Sequence, residues 1–283
     1  MAHSEDFTRD QIQRIWRDEA AVEDTWAGGY DDYYQNWQPC YGLYKESVAN
    51  LVLASWKQRT GPVLEVGCGT AQVLERLSSQ IPAERLHGVD ISSEMIRVAQ
   101  RKVRGARFHT MPFEQFATSE LFSVVYFCGS LHHMPDQRLV AETIHRIAAP
   151  GARVVVCEPN ANWMYQDLWT NRFARLVSPR WIYLRLRNAA MISKIMRTMG
   201  KLSEPAFHQH LDLDALQRTF GQYFRQISCT SDFHRTRLFE GVVLDTPGHE
   251  REIARLRAED ARLQQRYPLG GGSIEMVFEK PIS

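Results

Sequence analysis

The chain has 283 residues, a formal net charge of +1, 24% charged and 44% hydrophobic residues; this allows one large domain or a domain with a cap and argues against a general nucleic-acid binder, which shows a basic surplus. Five scattered cysteines (40, 68, 128, 157 and 229) without a CxxC pair read as reduced thiols in a cytoplasm, not as a disulfide framework or a metal site. The acidic start lacks the apolar segment of a signal peptide, and no stretch reaches membrane-spanning length.

Residues 7–58 read as helical, with Ile12, Ile15, Trp16 and Glu19 on one face and a cluster of rings at Trp26, Tyr30, Tyr33, Tyr34, Trp37, Tyr41 and Tyr44. The run Val63-Leu64-Glu65-Val66, bounded upstream by Gly61-Pro62, reads as a buried strand entering the turn Gly67-Cys68-Gly69. Glycines at 67 and 69 let the backbone bend sharply and approach a ligand, since no Cβ intervenes. The leucines of 72–77 are spaced for a helix, whose first amides would face that ligand. A nucleotide-like cofactor at the carboxyl end of this strand is the natural occupant. A second apolar strand, Leu86 to Asp90, ends in an acid about 20 residues beyond the turn, where a ribose-binding carboxylate is expected. Ser92, Ser93 and Glu94 then signal the cap of a helix running from Met95 to Val103.

Two cofactor classes fit a strand, a glycine turn and a following acid. The dinucleotide fingerprint wants a third glycine for close helix packing, where this chain has Gln72. Glu65 at the strand end would also repel a pyrophosphate, whereas it suits a ligand with an ammonium group and no phosphate. On Glu65-x-Gly67-x-Gly69 and Asp90 the chain resembles the class I S-adenosylmethionine-dependent methyltransferases, of the small-molecule type that includes the ubiquinone/menaquinone and natural-product enzymes.

The resemblance implies an α/β fold: a Rossmann-like, seven-stranded, mostly parallel sheet with helices on both faces and the last strand antiparallel. Four segments follow from it: N-terminal helices over the site (1–59), the cofactor-binding core (60–160), a helical substrate cap (161–208), and the rest of the sheet (209–283). It places the third strand and adenine-side loop at 107–113, the fourth strand at 123–129, the fifth at 153–158, a helix start at 210–214 and the seventh strand at 273–280. A charge-rich helix at 250–265 departs from the short hairpin usual there; its thin stripe of Ile253, Leu256 and Leu263 suits packing on the body or a homodimer contact.

For the cofactor, with S-adenosylhomocysteine as product, the resemblance implies Glu65 at the ammonium end, Gly67, Cys68 and Gly69 as the turn, and Asp90 on the ribose. Ile91 and Met95 would flank the adenine on one side and Met111, Pro112 and Phe113 on the other, with Met111 and Pro112 where relatives often carry an Asp. Cys128, Tyr30 and Tyr34 would lie beside the cofactor, and Trp37, Glu158 and His210 beside the acceptor.

His132 and His133, after the fourth strand, are the candidate bases, because an imidazole titrates in the right range; the competing role is to shape the loop. The loop Cys128-Gly129-Ser130-Leu131-His132 lacks the Asn/Asp-Pro-Pro-aromatic motif that holds a flipped base, which argues against nucleic acid. A small or medium-sized apolar or anionic acceptor, methylated on O, N or C, fits best. Residues 163–204 carry eight Lys/Arg against two acids. That surplus reads as a solvated face, as attraction to an anionic acceptor or, less favoured, as membrane-surface contact for a lipid or quinone substrate. The rivals are a non-catalytic cofactor-binding scaffold and a nicotinamide oxidoreductase.

Overall fold

The computed structural model describes residues 7–32, 39–161, 211–234, 236 and 249–282; nearly all of the expected cap, with Tyr34, Trp37 and His210, lies outside them. The N-terminal segment supplies two helices, α1 (Arg9–Trp26) and α2 (Pro39–Trp56). Thr8 opens α1 through a capping box with Gln11, which satisfies two otherwise orphaned amides. Strand β1 (Val63–Val66) leads to α3 (Gln72–Leu77), and β2 (Leu86–Asp90) to α4 (Ser93–Lys102), capped by the Ser92 hydroxyl on the Met95 amide. Next come β3 (Arg107–Thr110), β4 (Phe122–Cys128), α5 (Gln137–Ile147) and β5 (Ala148–Pro159). Helix α6 (Leu213–Gly221), β6 (Arg225–Asp232), α7 (His249–Arg266) and β7 (Ser273–Glu279) complete the described chain.

The seven strands form one sheet in the order β3-β2-β1-β4-β5-β7-β6. The first five run parallel, while β7 is antiparallel to both β5 and β6. Strands joined by helices leave their carboxyl ends on one edge, and the order reverses between β1 and β4, so a crevice opens there.

Each face has its own core. Leu64, Val66, Val125, Phe127, Val154 and Val156 pack with residues of α5 and α6. Val63, Val124, Tyr126, Cys128, Val155 and Cys157 pack with α2, α3 and α4. Side chains alternate across a strand, so Glu65 shares the α2 face with Val63. Helix α7 packs on the body, not only on a thin apolar stripe. Leu256 is fully buried, Arg257 forks onto Asp232 at 2.9 and 2.6 Å, and Gln264 Nε2 donates to the Ser231 carbonyl at 2.9 Å.

Candidate functional site

At the crevice lies a cavity of about 130 Å³. Gly67 and Gly69 after β1 form its floor with Val89, Asp90 and Ile91 from β2. Met111 to Glu114 after β3 make one wall, and Gly129, Ser130, His133 and Met134 after β4 make the other. Ile15, Trp16, Glu19 and Glu23 of α1, with Tyr30, close it from above.

Gly67 and Gly69 serve different ends. At Gly67 (φ +66°) an added Cβ would come within 2.4 Å of the Ser130 Cβ, so this glycine lets the β1 turn touch the β4 loop. Ser130 secures the contact by donating its hydroxyl to the Val66 carbonyl at 2.5 Å. At Gly69 (φ +50°) an added Cβ would meet no atom within 4 Å, so the turn presents bare backbone to open space.

Asp90 is the clasp of this floor. Its Oδ2 accepts from the Gly69 amide at 2.7 Å and its Oδ1 from the Ser92 amide at 2.9 Å. A carboxylate has about four acceptor positions, so capacity remains for a diol. Burial pushes its carboxyl above the usual range, and the Ser92 and Gly69 amides oppose that rise.

The roof brings more acid. Burial, reinforced by the Asp90 charge, pushes Glu23 up to about 7, and burial does the same to Glu114. Glu19 Oε1 lies 2.9 Å from His133 Nδ1, and Trp16 Nε1 donates to Glu114 at 3.4 Å. Two further acids fasten the N-terminal segment to the segments that follow β1 and β2. Asp24 accepts from the Ser92 hydroxyl at 2.6 Å and the Glu94 amide at 3.1 Å. Asp31 accepts from the Thr70 hydroxyl at 2.6 Å and from Gln72 Nε2 at 2.7 Å. Gln72, at the place of a dinucleotide site's third glycine, thus holds the roof.

Of the residues singled out from the sequence, Tyr30, Gly67, Gly69, Asp90, Ile91, Met111, Pro112, Phe113 and His133 line this one cavity. Five others do not. Glu65 is 2% exposed and faces α2, where burial drives its carboxyl up to about 7 and the Lys45 ammonium is the main opposing influence. Its Oε2 has no hydrogen-bond partner among the described residues. Cys68 and Met95 are buried in packing, and Cys128 receives a hydrogen bond from Lys45 Nζ at 3.3 Å. Burial pushes the Cys128 thiol up to about 11, away from thiolate reactivity.

Glu158 turns away from the cavity as well. Its Oε1 accepts from the Ser130 and Leu131 amides at 2.9 and 2.8 Å, and its Oε2 lies 2.6 Å from His132 Nδ1. This pair holds the loop after β4, and neither Glu158, expected beside the acceptor, nor His132, expected as a base, is among the residues that line the cavity. The two rings touch, with His132 on the Glu158 side and His133 on the cavity wall. Among the described residues, no group of three or more His, Cys, Asp or Glu is placed to hold a metal ion.

Glu19, Glu23 and Lys45 were not read as site residues from the sequence. A signal existed for two of them: Glu19 and Glu23 lie on the same side of α1 as Ile12, Ile15 and Trp16, and acids on an apolar face ask for a reason.

A family described as "Methyltransferase domain" matches residues 41–205. A demethylmenaquinone methyltransferase of Lactiplantibacillus plantarum is 25% identical over 192 residues, 63% of this chain and 70% of its own. A malonyl-[acyl-carrier protein] O-methyltransferase of Bacillus cereus is 30% identical over 92 residues, so the match spans only 30% of this chain and 34% of the relative. Among solved structures, the complex between the Haloferax volcanii Trm112 methyltransferase activator and the putative methyltransferase contains a similar chain. There the TM-score is 0.55 at 15% identity, covering 92% of this chain and 97% of the other, which speaks for the fold alone.

Proposed function

The chain belongs to the methyltransferase-domain family, and from that membership we propose that it is an S-adenosylmethionine-dependent enzyme that methylates a small or medium-sized apolar or anionic molecule. The observation that carries this reading is the cavity between the Gly67–Gly69 turn, Asp90 and residues 111–113. Its lining supports a place for the ribose and the adenine of that cofactor. Asp90, with acceptor capacity to spare, takes the ribose hydroxyls, and the apolar Met111, Pro112 and Phe113 take the adenine against Ile91. Bound there, the cofactor supplies a methyl carbon on a cationic sulfonium sulfur.

Charge supports the same choice. Glu19, Glu23, Asp90 and Glu114 all line the cavity, with the imidazole of His133 the only titratable nitrogen on its wall among the described residues. Such a lining attracts a cationic ligand and repels a pyrophosphate, so it suits S-adenosylmethionine and disfavours a nicotinamide dinucleotide. Glu65 belongs to the reading as a buried carboxylate behind the turn rather than as a direct ligand.

In-line transfer needs the acceptor held within near-attack distance and water excluded. The α1 roof, fastened by Asp24 and Asp31, supplies part of that exclusion. No described helix is long and apolar enough to cross a membrane. A quinone or a lipid remains among the acceptor classes, since the first-mentioned relative is named for demethylmenaquinone.

Two measurements test the reading. S-adenosylhomocysteine should raise the melting temperature and NAD should not; the reverse result would reject the cofactor. Labelled methyl from S-adenosylmethionine should then enter the organic or aqueous fraction of a cell extract. Label only in precipitated protein or nucleic acid would reject the small-molecule acceptor.

A further inference from the structure

The loop after β4 carries two histidine–carboxylate pairs whose rings touch, with centroids 4.1 Å apart. The inner pair, His132 with Glu158, is internal to the core edge and ties down the loop. The outer pair joins elements 114 residues apart: His133 belongs to the core, whereas Glu19 arrives on α1 from outside it. Both members of the outer pair line the cavity, and Glu19 is only 7% exposed at its side chain while His133 is 25% exposed.

We propose that Glu19 is the positioning residue for His133, and that the pair takes the proton of an acceptor O–H group. The inference rests on the methyl-transfer reading and deepens it by naming the acceptor class. A carboxylate oxygen 2.9 Å from Nδ1 favours the tautomer that carries its proton on that nitrogen and its lone pair on Nε2. As the acceptor oxygen bonds to the methyl carbon, the C–S electron pair stays on sulfur and the O–H proton passes to Nε2. The imidazolium so formed is stabilised by the Glu19 charge, and its proton later leaves to water. An acceptor without a proton on the attacking atom would have no use for such a pair. An alcohol, phenol or enol does.

The surroundings favour the imidazolium too. Glu23 from α1 and Asp90 from β2 both act on His133 through their charges, and His132 beside it is held by Glu158. Since Glu19 rides on α1, the couple is complete only when α1 is docked over the cavity. Proton acceptance is thereby tied to a closed roof.

The test uses nitrogen-15-labelled histidine in the full chain, read by long-range proton–nitrogen correlation from pH 5 to 9, free and with S-adenosylhomocysteine. The His133 signals are assigned by their loss in His133→Gln. The expected result is the Nδ1–H tautomer in the native protein. In Glu19→Gln the fold and tautomer should persist while the titration midpoint of His133 falls by about one pH unit, the effect of removing an adjacent negative charge. Glu19→Asp should restore part of it. An Nε2–H tautomer in the native protein, or a midpoint unmoved in Glu19→Gln, would overturn the proposal. Failure of the product to bind would instead reject the cofactor assignment, and the tautomer of the free protein would still be read.

Discussion

The amide of Gly69 donates to Asp90 Oδ2 at 2.7 Å, so the turn that ends one strand is held by the side chain that ends its neighbour. The Ser92 amide takes the other oxygen, which makes a single carboxylate the common anchor of the β1 turn and the start of α4. On the proposed cofactor assignment, binding a ribose and shaping the floor are one job for Asp90.

It follows that Asp90→Ala should damage both. Leaving two buried amides without their acceptor costs about 1–3 kcal/mol, and the ribose loses its partner besides. Titration calorimetry with S-adenosylhomocysteine should show affinity reduced by that amount or more, together with a lower melting temperature. Unchanged affinity would remove Asp90 from the site.

The two turn glycines should separate stability from binding. Gly67→Ala forces a Cβ to 2.4 Å from Ser130 in a left-handed conformation, so the β1 turn and β4 loop must part. We expect a destabilisation above the 1–2 kcal/mol typical of a left-handed non-glycine residue. Gly69→Ala has the same backbone penalty but open space, so its stability cost should stay near about 1 kcal/mol while cofactor affinity falls further. Chemical denaturation beside titration of each variant decides this; equal stability losses would refute the division of roles.

How legible these arrangements are depends on their range along the chain. The β1 turn and Asp90 are local features: an apolar run, two glycines and a terminal acid. The facing of Glu65 is not legible, because every residue of β1 is buried and no polar alternation marks its two sides. Nor is the roof. Asp24 meets Ser92 across 68 positions and Asp31 meets Thr70 across 39, separations that no spacing rule encodes. Likewise, the doublet His132-His133 offers two equivalent candidates until the turn geometry sends one to Glu158 and the other to Glu19.

Behind the turn, Lys45 and Glu65 form a buried couple whose disruption should depend on pH. The folded Glu65 carboxyl lies at about 7, above the 4.5 of an unfolded chain. It therefore binds its proton more tightly when folded, and its ionisation lowers stability as pH climbs from 4.5 through about 7. Lys45→Met removes the main influence opposing burial and extends that fall to higher pH. The expected loss is about 3 kcal/mol at pH 8 and clearly less at pH 5, with Lys45→Met/Glu65→Gln recovering much of it. Urea unfolding at the two pH values measures this, and an equal loss at both would show that the charge of Glu65 is not involved.

On β2, paired with Leu64 of β1, His87 makes the protein sensitive to acid. It is 1% exposed in β2, neither ring nitrogen has a hydrogen-bond partner among the described residues, and Glu120 Oε2 stands 3.5 Å from Nε2. Burial pushes the imidazole down to about 4, against the pull of Glu120. The unfolded chain takes up this proton near 6.5 and the folded one only near 4. Between those values the unfolded state binds more protons, so stability drops as pH falls. The slope cannot exceed about 1.4 kcal/mol per pH unit, the limit for a single proton. His87→Phe keeps a ring against Phe122, whose centroid is 5.0 Å away, and removes both the orphaned nitrogens and the titration. Its melting temperature should exceed the native value, by more at pH 5 than at pH 8. A difference between pH 5 and pH 8 that is the same in both proteins would place the acid sensitivity elsewhere.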